Sequence, residues 1–574
     1  MKNLISLSLH VAYVLLVLQC LGCSDKLPST IAQSPAPNYG TKTLTTQGEV
    51  VGFYMPNGTA AWRGIRYAQP PLNDRRWRSP IPPTAWPEPV MALNHAPRCP
   101  QLATRLDHGV EVGMPIGQED CLFLDVYAPS DISNGDKVPV MIWIHGGSNV
   151  WGGADQYDGS KLAANQKVIV VVPQYRLGPL GWFAHPTIQG KTTGAIAANF
   201  ALLDQQLALK WVVDNISAFG GDPDNITLFG ESAGAFNVFS LLSMPGSEKY
   251  VRKAILQSGA PSTHSLDEAI HGEHGSVAAL AKLGSNHELS ANNLRELPVQ
   301  ALLNVFSNND KINVVSQIAD GVTLSSDGVI GNIAQNYGTV PLSLIIGANR
   351  DETKFYTAFN DKFVWRLLGK LPIIRDSDFY EALSEYTNNY WYQAAVLQTA
   401  QQLNDADIKT YLYRFDWDNQ PDFLGIEISK LIGAAHTLEV PFIFDSFDNF
   451  LEPMGSMFFS EENEQSRNLL KSEMQSLWGS FAYSTSGSPE GSQWQPHSTK
   501  EPFILQLDAD QKLQVGRLNY KYPSFTEQIH ELRTDHRVPS EEKKCIIYEE
   551  MRTLHSMIQQ NKQFSSKCPF ISED

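Results

Sequence analysis

Basic residues are scarce in this chain of 574: 44 Lys and Arg stand against 61 Asp and Glu, a formal charge of −17. A surface of that sign repels phosphate backbones and anionic lipid, so nucleic acid is excluded as an expected partner. The acidity is spread along the chain without forming a tail, and it identifies no substrate. Cysteine is sparse as well, six in all, and none has the spacing or the histidine neighbours of a metal site; neither metal nor cofactor is expected. Beyond the N-terminus no apolar run approaches the roughly 18 residues that a membrane span needs. No internal repeat divides the chain, and no Pro/Gly/Ser-rich or charge-rich break follows residue 50. With 42% hydrophobic and 18% charged residues the composition is globular. One large domain with long insertions is the expectation, although the length would suit several domains.

At the N-terminus, Met1-Lys2-Asn3 precedes an apolar stretch from Leu4 to Leu21 broken by serines and His10. This reads as a signal peptide over residues 1–22. Leu21-Gly22-Cys23-Ser24 resembles a bacterial lipoprotein processing site, with Cys23 the lipidation candidate, although Cys20 stands where such sites usually carry Leu. Residues 23–47, rich in Ser, Pro, Thr and Gln, would be a flexible tether, and residues 48–574 a single domain. An exported protein is expected, attached to the envelope through the lipid or released, with membrane contact only through that anchor. Setting Cys20 and Cys23 aside leaves Cys99, Cys121, Cys545 and Cys568, an even set in an oxidising compartment. Sequential pairing is the economical expectation.

Val138 to Ile144 is a short apolar run ending at His145-Gly146-Gly147, as in a buried strand closed by a turn. Val168 to Pro173, Ile226 to Phe229, Ala254 to Gln257 and Ser343 to Gly347 read as further strands. Leu202 to Ile216 and the residues from Ala233 onward have helical spacing. Alternating helices and fully apolar strands predict an α/β fold, a mostly parallel central sheet covered on both faces. Two stretches, Leu266 to Asn313 and Asn360 to Leu412, read as helical insertions over one end of that sheet. Glu541 to Gln560 reads as a helix with Ile547, Met551, Leu554 and Ile558 on one stripe.

Ser232 lies at a strand-to-helix junction, in Gly230-Glu231-Ser232-Ala233-Gly234. Glycines around a strained turn let the backbone pack closely while the hydroxyl projects outward. A chain this long yields on the order of 0.2 chance matches to that five-residue pattern, so the strand-turn-helix context carries the weight. A serine hydroxyl is a weak nucleophile at neutral pH and needs a base, a group to orient the base, and oxyanion donors.

Longer motifs surround the elbow: Glu119 to Pro129, Gln174 to Gly181, Leu202 to Trp211, and Phe219 through Gly234. From about Gly48 to Pro496 they resemble the type-B carboxylesterase and cholinesterase family, which implies the α/β-hydrolase fold and a serine carboxylic-ester hydrolase working through an acyl-enzyme. By that resemblance Gly347-Ala348-Asn349-Arg350-Asp351-Glu352 supplies the orienting acid, Glu352, with Asp351 as local rival. Gly433-Ala434-Ala435-His436-Thr437-Leu438-Glu439 supplies the base, His436; Thr437 stands where the family commonly has Gly. The order Ser232, Glu352, His436 is that of the fold. The resemblance also implies oxyanion donors at the N–H groups of Gly147, Ser148 and Ala233. Ser148 replaces a glycine, which puts the shape of that loop in question. His145 is expected to structure the loop, and Glu231 and Ser258 to support the triad. His264, His271 and His274 read as solvated loop residues.

The same resemblance bears on substrate. In cholinesterases the disulfide loop that ends at the motif matched here by Glu119 to Pro129 carries a tryptophan that receives a quaternary ammonium. The loop from Cys99 to Cys121 has Arg105, His108 and Glu111 but no Trp, Tyr or Phe. Small uncharged esters are therefore expected in place of choline esters. The alternatives left open are a non-catalytic binding or adhesion protein on the same scaffold, and acyl transfer or amide hydrolysis by the same residues.

Overall fold

The computed structural model describes residues 34–570 except 108, 133–134, 190–196, 285–289, 309–310, 368–370, 451–454, 486, 490–493, 559–563 and 566. Its centre is an eleven-stranded sheet. In chain order the strands are Phe53–Tyr54 (β1), Ala60–Arg66 (β2), Phe123–Ala128 (β3), Val138–Ile144 (β4), Ile169–Pro173 (β5) and Gly221–Glu231 (β6). Val251–Gln257 (β7), Ser343–Asn349 (β8), Lys409–Phe415 (β9), Ile504–Ala509 (β10) and Leu513–Arg517 (β11) complete it. Their spatial order is 1-2-3-5-4-6-7-8-9-10-11. From β5 through β10 every neighbouring pair is parallel. The outer pairs are antiparallel. This is the expected α/β-hydrolase architecture.

The parallel strands read as unbroken apolar runs because helices cover both of their faces. Every residue of β4, β5 and β8 is buried. Helix α1 (Phe200–Asn215) carries Asp204, whose carboxylate takes two hydrogen bonds of 2.7 Å from Arg176 in a fully buried pair. That contact ties together two of the motifs singled out above. Helix α2 (Ala233–Ser243) follows β6 directly.

Residues 39–47, expected in the tether, belong to the fold. Thr43–Thr45 pairs antiparallel with Gly48–Val50, and the Trp62 indole donates to the Thr41 carbonyl. The compact unit begins at Pro37. Residues 1–33, with the signal peptide and Cys23, lie outside the described residues.

The first insertion is helical as expected, with Leu266–His271, Ser276–Leu280, Ala291–Glu296 and Val299–Val305. The second differs. A hairpin of Val364–Leu367 with Leu371–Ile374 precedes its helices, and its last residues enter the central strand β9. That strand, between β8 and β10, is buried on both faces and so shows no alternation to distinguish it from helix. The disulfides are Cys99–Cys121 and Cys545–Cys568. The second staples the terminal helix Glu541–Ile558, whose Ile547, Met551, Leu554 and Ile558 are all buried.

Candidate active site

Ser232 ends β6 and begins α2 with φ 54° and ψ −130°, a strained conformation for a residue with a side chain. The flanking glycines are obligatory by packing. A Cβ at Gly234 would lie 1.9 Å from the Ile144 carbonyl oxygen, and one at Gly230 2.7 Å from the same atom. Strand β4 therefore approaches the elbow so closely that only hydrogen fits, and the half-buried serine is presented at the carboxyl end of the sheet.

His436 is buried among Phe355, Tyr356 and Trp391, whose ring centres are 5.7–6.3 Å from its own. Its Nδ1 lies 2.5 Å from Glu352 Oε2. The other Glu352 oxygen accepts from Ser258 Oγ at 2.5 Å and from the Asn349 backbone N–H at 2.8 Å. The carboxylate is thus oriented from both sides. Asp351, its rival, points elsewhere: it pairs with Arg350 at 2.7 Å and accepts from the Ala434 N–H, and against the effect of burial Lys354 and then Arg350 hold its carboxyl below the usual range.

The remaining imidazole nitrogen faces an unexpected neighbour. His436 Nε2 is 3.1 Å from Glu231 Oε1, and among the described residues it has no hydrogen-bond partner, Ser232 Oγ included. A third carboxylate, Glu439, lies buried nearby and accepts from Gln257 and Asn349. Burial alone would lower the His436 pKa, but Glu231, Glu352 and Glu439 outweigh it and raise it to about 9. Burial also drives Glu231 well above the usual carboxylate range, opposed by His436 and reinforced by the other two acids. Glu439 closes the histidine motif, and its position three residues after His436 is the signal for it in the sequence. Trp391 had none, because it reaches the site from the second insertion, and Tyr356 follows Glu352 by four residues, in the short helix Lys354–Thr357.

The three proposed oxyanion donors belong to two elements. Ala233 opens α2, and its N–H points out of the helix N-terminus, where the peptide dipoles favour negative charge. Gly147 has φ 97°, and a Cβ there would strike the Trp151 carbonyl at 2.0 Å. Ser148 takes φ 53° and is exposed. Among the described residues no backbone acceptor engages the N–H groups of these three. His145 stacks on Tyr175 with ring centres 4.3 Å apart, and the Tyr175 hydroxyl donates to its carbonyl at 2.6 Å. Burial lowers its pKa to about 4, so it is a neutral brace of the loop.

The carboxylesterase family model matches residues 40–365 and 357–525. The chain belongs to the carboxylesterase family. Para-nitrobenzyl esterase of Bacillus subtilis is 36% identical over 489 residues, which cover 80% of this chain and 94% of the relative. Human cocaine esterase is 29% identical over 549 residues, covering 87% and 93%. Among solved structures, a PNB esterase superposes with a TM-score of 0.66 at 30% identity, covering 83% of this carboxylesterase and 97% of its match. A Geobacillus stearothermophilus carboxylesterase has the same TM-score at 28% identity, covering 83% and 98%. This carboxylesterase is accordingly a serine hydrolase of carboxylic esters.

Proposed function

We propose that Ser232, His436 and Glu352 hydrolyse small uncharged carboxylic esters through an acyl-enzyme. The observation that carries this is Glu352, clamped by Ser258 and Asn349, on the Nδ1 side of a buried His436. In the reading, Nε2 turns from Glu231 towards Ser232 and takes the hydroxyl proton as Oγ attacks the ester carbonyl carbon. The tetrahedral oxyanion is held by the N–H groups of Gly147, Ser148 and Ala233. Its collapse expels the alcohol, which takes the proton from the imidazolium. Water then repeats the sequence on the acyl-enzyme: His436 accepts its proton, and the acid leaves as Ser232 recovers its hydrogen.

The Cys99–Cys121 loop supports uncharged substrates, since it offers no aromatic face to a quaternary ammonium. The para-nitrobenzyl esterase relative points the same way. A panel of p-nitrophenyl esters of increasing acyl length, with Ser232→Ala as control, tests the reading. Equal rates for wild type and Ser232→Ala would sink it; butyrylthiocholine turnover matching p-nitrophenyl butyrate would sink the substrate class.

The N-terminal sequence supports export with lipidation at Cys23. Among the described residues no helix is long and apolar enough to cross a membrane. Mass spectrometry of the mature N-terminus decides: an unmodified Cys23, or cleavage beyond it, rules the anchor out.

A further inference from the structure

Far from the triad, at the other end of α2, lies a cavity of about 790 Å³. Met244 on its wall is twelve residues from Ser232, about 18 Å along the helix. Ile188, Leu203, Met244, Pro245, Ala291 and Val322 make the lining largely apolar, and the space continues past Pro245 into a second groove of about 410 Å³ with Leu207 and Tyr250.

One charged side chain is built into the wall. Arg295 is only 7% exposed, yet among the described residues it has no carboxylate partner. Its Nε donates to the Arg76 carbonyl at 3.0 Å, which leaves the four N–H bonds of its outer nitrogens free. Arg76 beside it shows the contrast, since it holds Glu119 through two bonds of 2.7 and 2.8 Å. These nitrogens open on the cavity with no protein partner among the described residues, and a guanidinium fork so placed is a site for an anion. The charges acting on Arg295 are Arg78, also on the cavity wall, and Asp74.

We propose that this cavity binds an aliphatic carboxylate, its head on Arg295 and its chain along Leu203 and Met244. A fork of N–H donors matches a carboxylate's two oxygens. The apolar wall takes the alkyl chain, and the groove beyond Pro245 gives it length. Such acids are what ester hydrolysis releases, but the assignment does not rest on the esterase reading.

The test is calorimetric titration of the full chain with octanoate, octanol and inorganic phosphate. Wild type and Ser232→Ala bind octanoate alike and saturably. Arg295→Gln weakens octanoate binding at least tenfold, as expected for loss of a charge-assisted contact, while hydrolysis of p-nitrophenyl butyrate persists. Ala291→Trp fills the cavity, leaves Arg295 in place and abolishes binding, so it carries the test should Arg295→Gln fail to fold. Octanol or phosphate binding as tightly as octanoate would overturn the proposal. So would octanoate binding unchanged in Arg295→Gln or in Ala291→Trp, or absent from wild type. Loss of esterase activity in Ser232→Ala with octanoate binding intact separates this site from the reaction.

Discussion

His436 Nε2 lies 3.1 Å from Glu231 Oε1, so the carboxylate of the residue preceding the nucleophile sits against the base. This makes Glu231 an acid that acts directly on the base. It also makes His436 harder to deprotonate, with a pKa of about 9.

The pH dependence follows. Only neutral imidazole accepts the serine proton, so a raised pKa moves the onset of activity upward: kcat/KM should increase through about pH 9 and level off above it. Glu231→Gln removes one of the three carboxylates that raise this pKa and should shift the rising limb down by roughly one pH unit. A pH–rate profile of the two proteins checks it; a limb that does not move excludes Glu231 as the charge on the base.

Ser258 acts on the reaction through Glu352. Ser258→Ala removes the 2.5 Å bond to Oε1 and leaves the Asn349 N–H as the remaining support of that oxygen. A hydrogen bond to a charged group contributes about 1.5–3 kcal/mol, so kcat should drop roughly ten- to a hundredfold. KM should stay within about twofold, because nothing that binds substrate in the proposed mechanism has changed. Steady-state kinetics on p-nitrophenyl butyrate gives both numbers, and a rise in KM at constant kcat would place Ser258 in substrate binding instead.

Much of this was legible in the sequence, for identifiable reasons. The strands β4, β6 and β8 are buried on both faces and announce themselves as apolar runs, and Gly230 and Gly234 are fixed by the approach of Ile144. Lys409–Phe415 escaped because Leu412 breaks the alternation of its aromatics, Tyr411, Tyr413 and Phe415, with the polar Thr410 and Arg414. The tether's end escaped because Thr43–Thr45 is polar in sequence yet pairs with Gly48–Val50 through its backbone. Side-chain direction was beyond reach altogether. Nothing in Gly-Glu-Ser-Ala-Gly says that Glu231 turns inward to meet a histidine 205 positions later.

The oxyanion loop separates two glycine positions that differ in what they tolerate. Ser148 already holds φ 53° with its side chain exposed, so Ser148→Gly keeps the donor and should change kcat/KM by less than about threefold. Gly147→Ala places a methyl 2.0 Å from the Trp151 carbonyl oxygen at φ 97°, so the loop must move and the donors with it. A loss of about a hundredfold or more in kcat is expected. If the two variants behave alike in single-turnover assays, these N–H groups do not hold the oxyanion.

Thr437 offers a test of stability. It adopts φ 72°, a region a β-branched residue rarely enters, and its Oγ1 is buried without a hydrogen-bond partner among the described residues. Glycine adopts that conformation freely and removes the unpaired oxygen, but it also loosens the unfolded chain, which opposes the gain. Relief of the strained backbone and of a buried hydroxyl outweighs that entropy, so Thr437→Gly should stabilise the protein by about 1 kcal/mol. Denaturant unfolding measures the change, and Thr437→Ala, which keeps a Cβ at positive φ, should recover only the hydroxyl's share. A Thr437→Gly variant less stable than wild type would show that side-chain packing beside His436, and not backbone strain, governs this position.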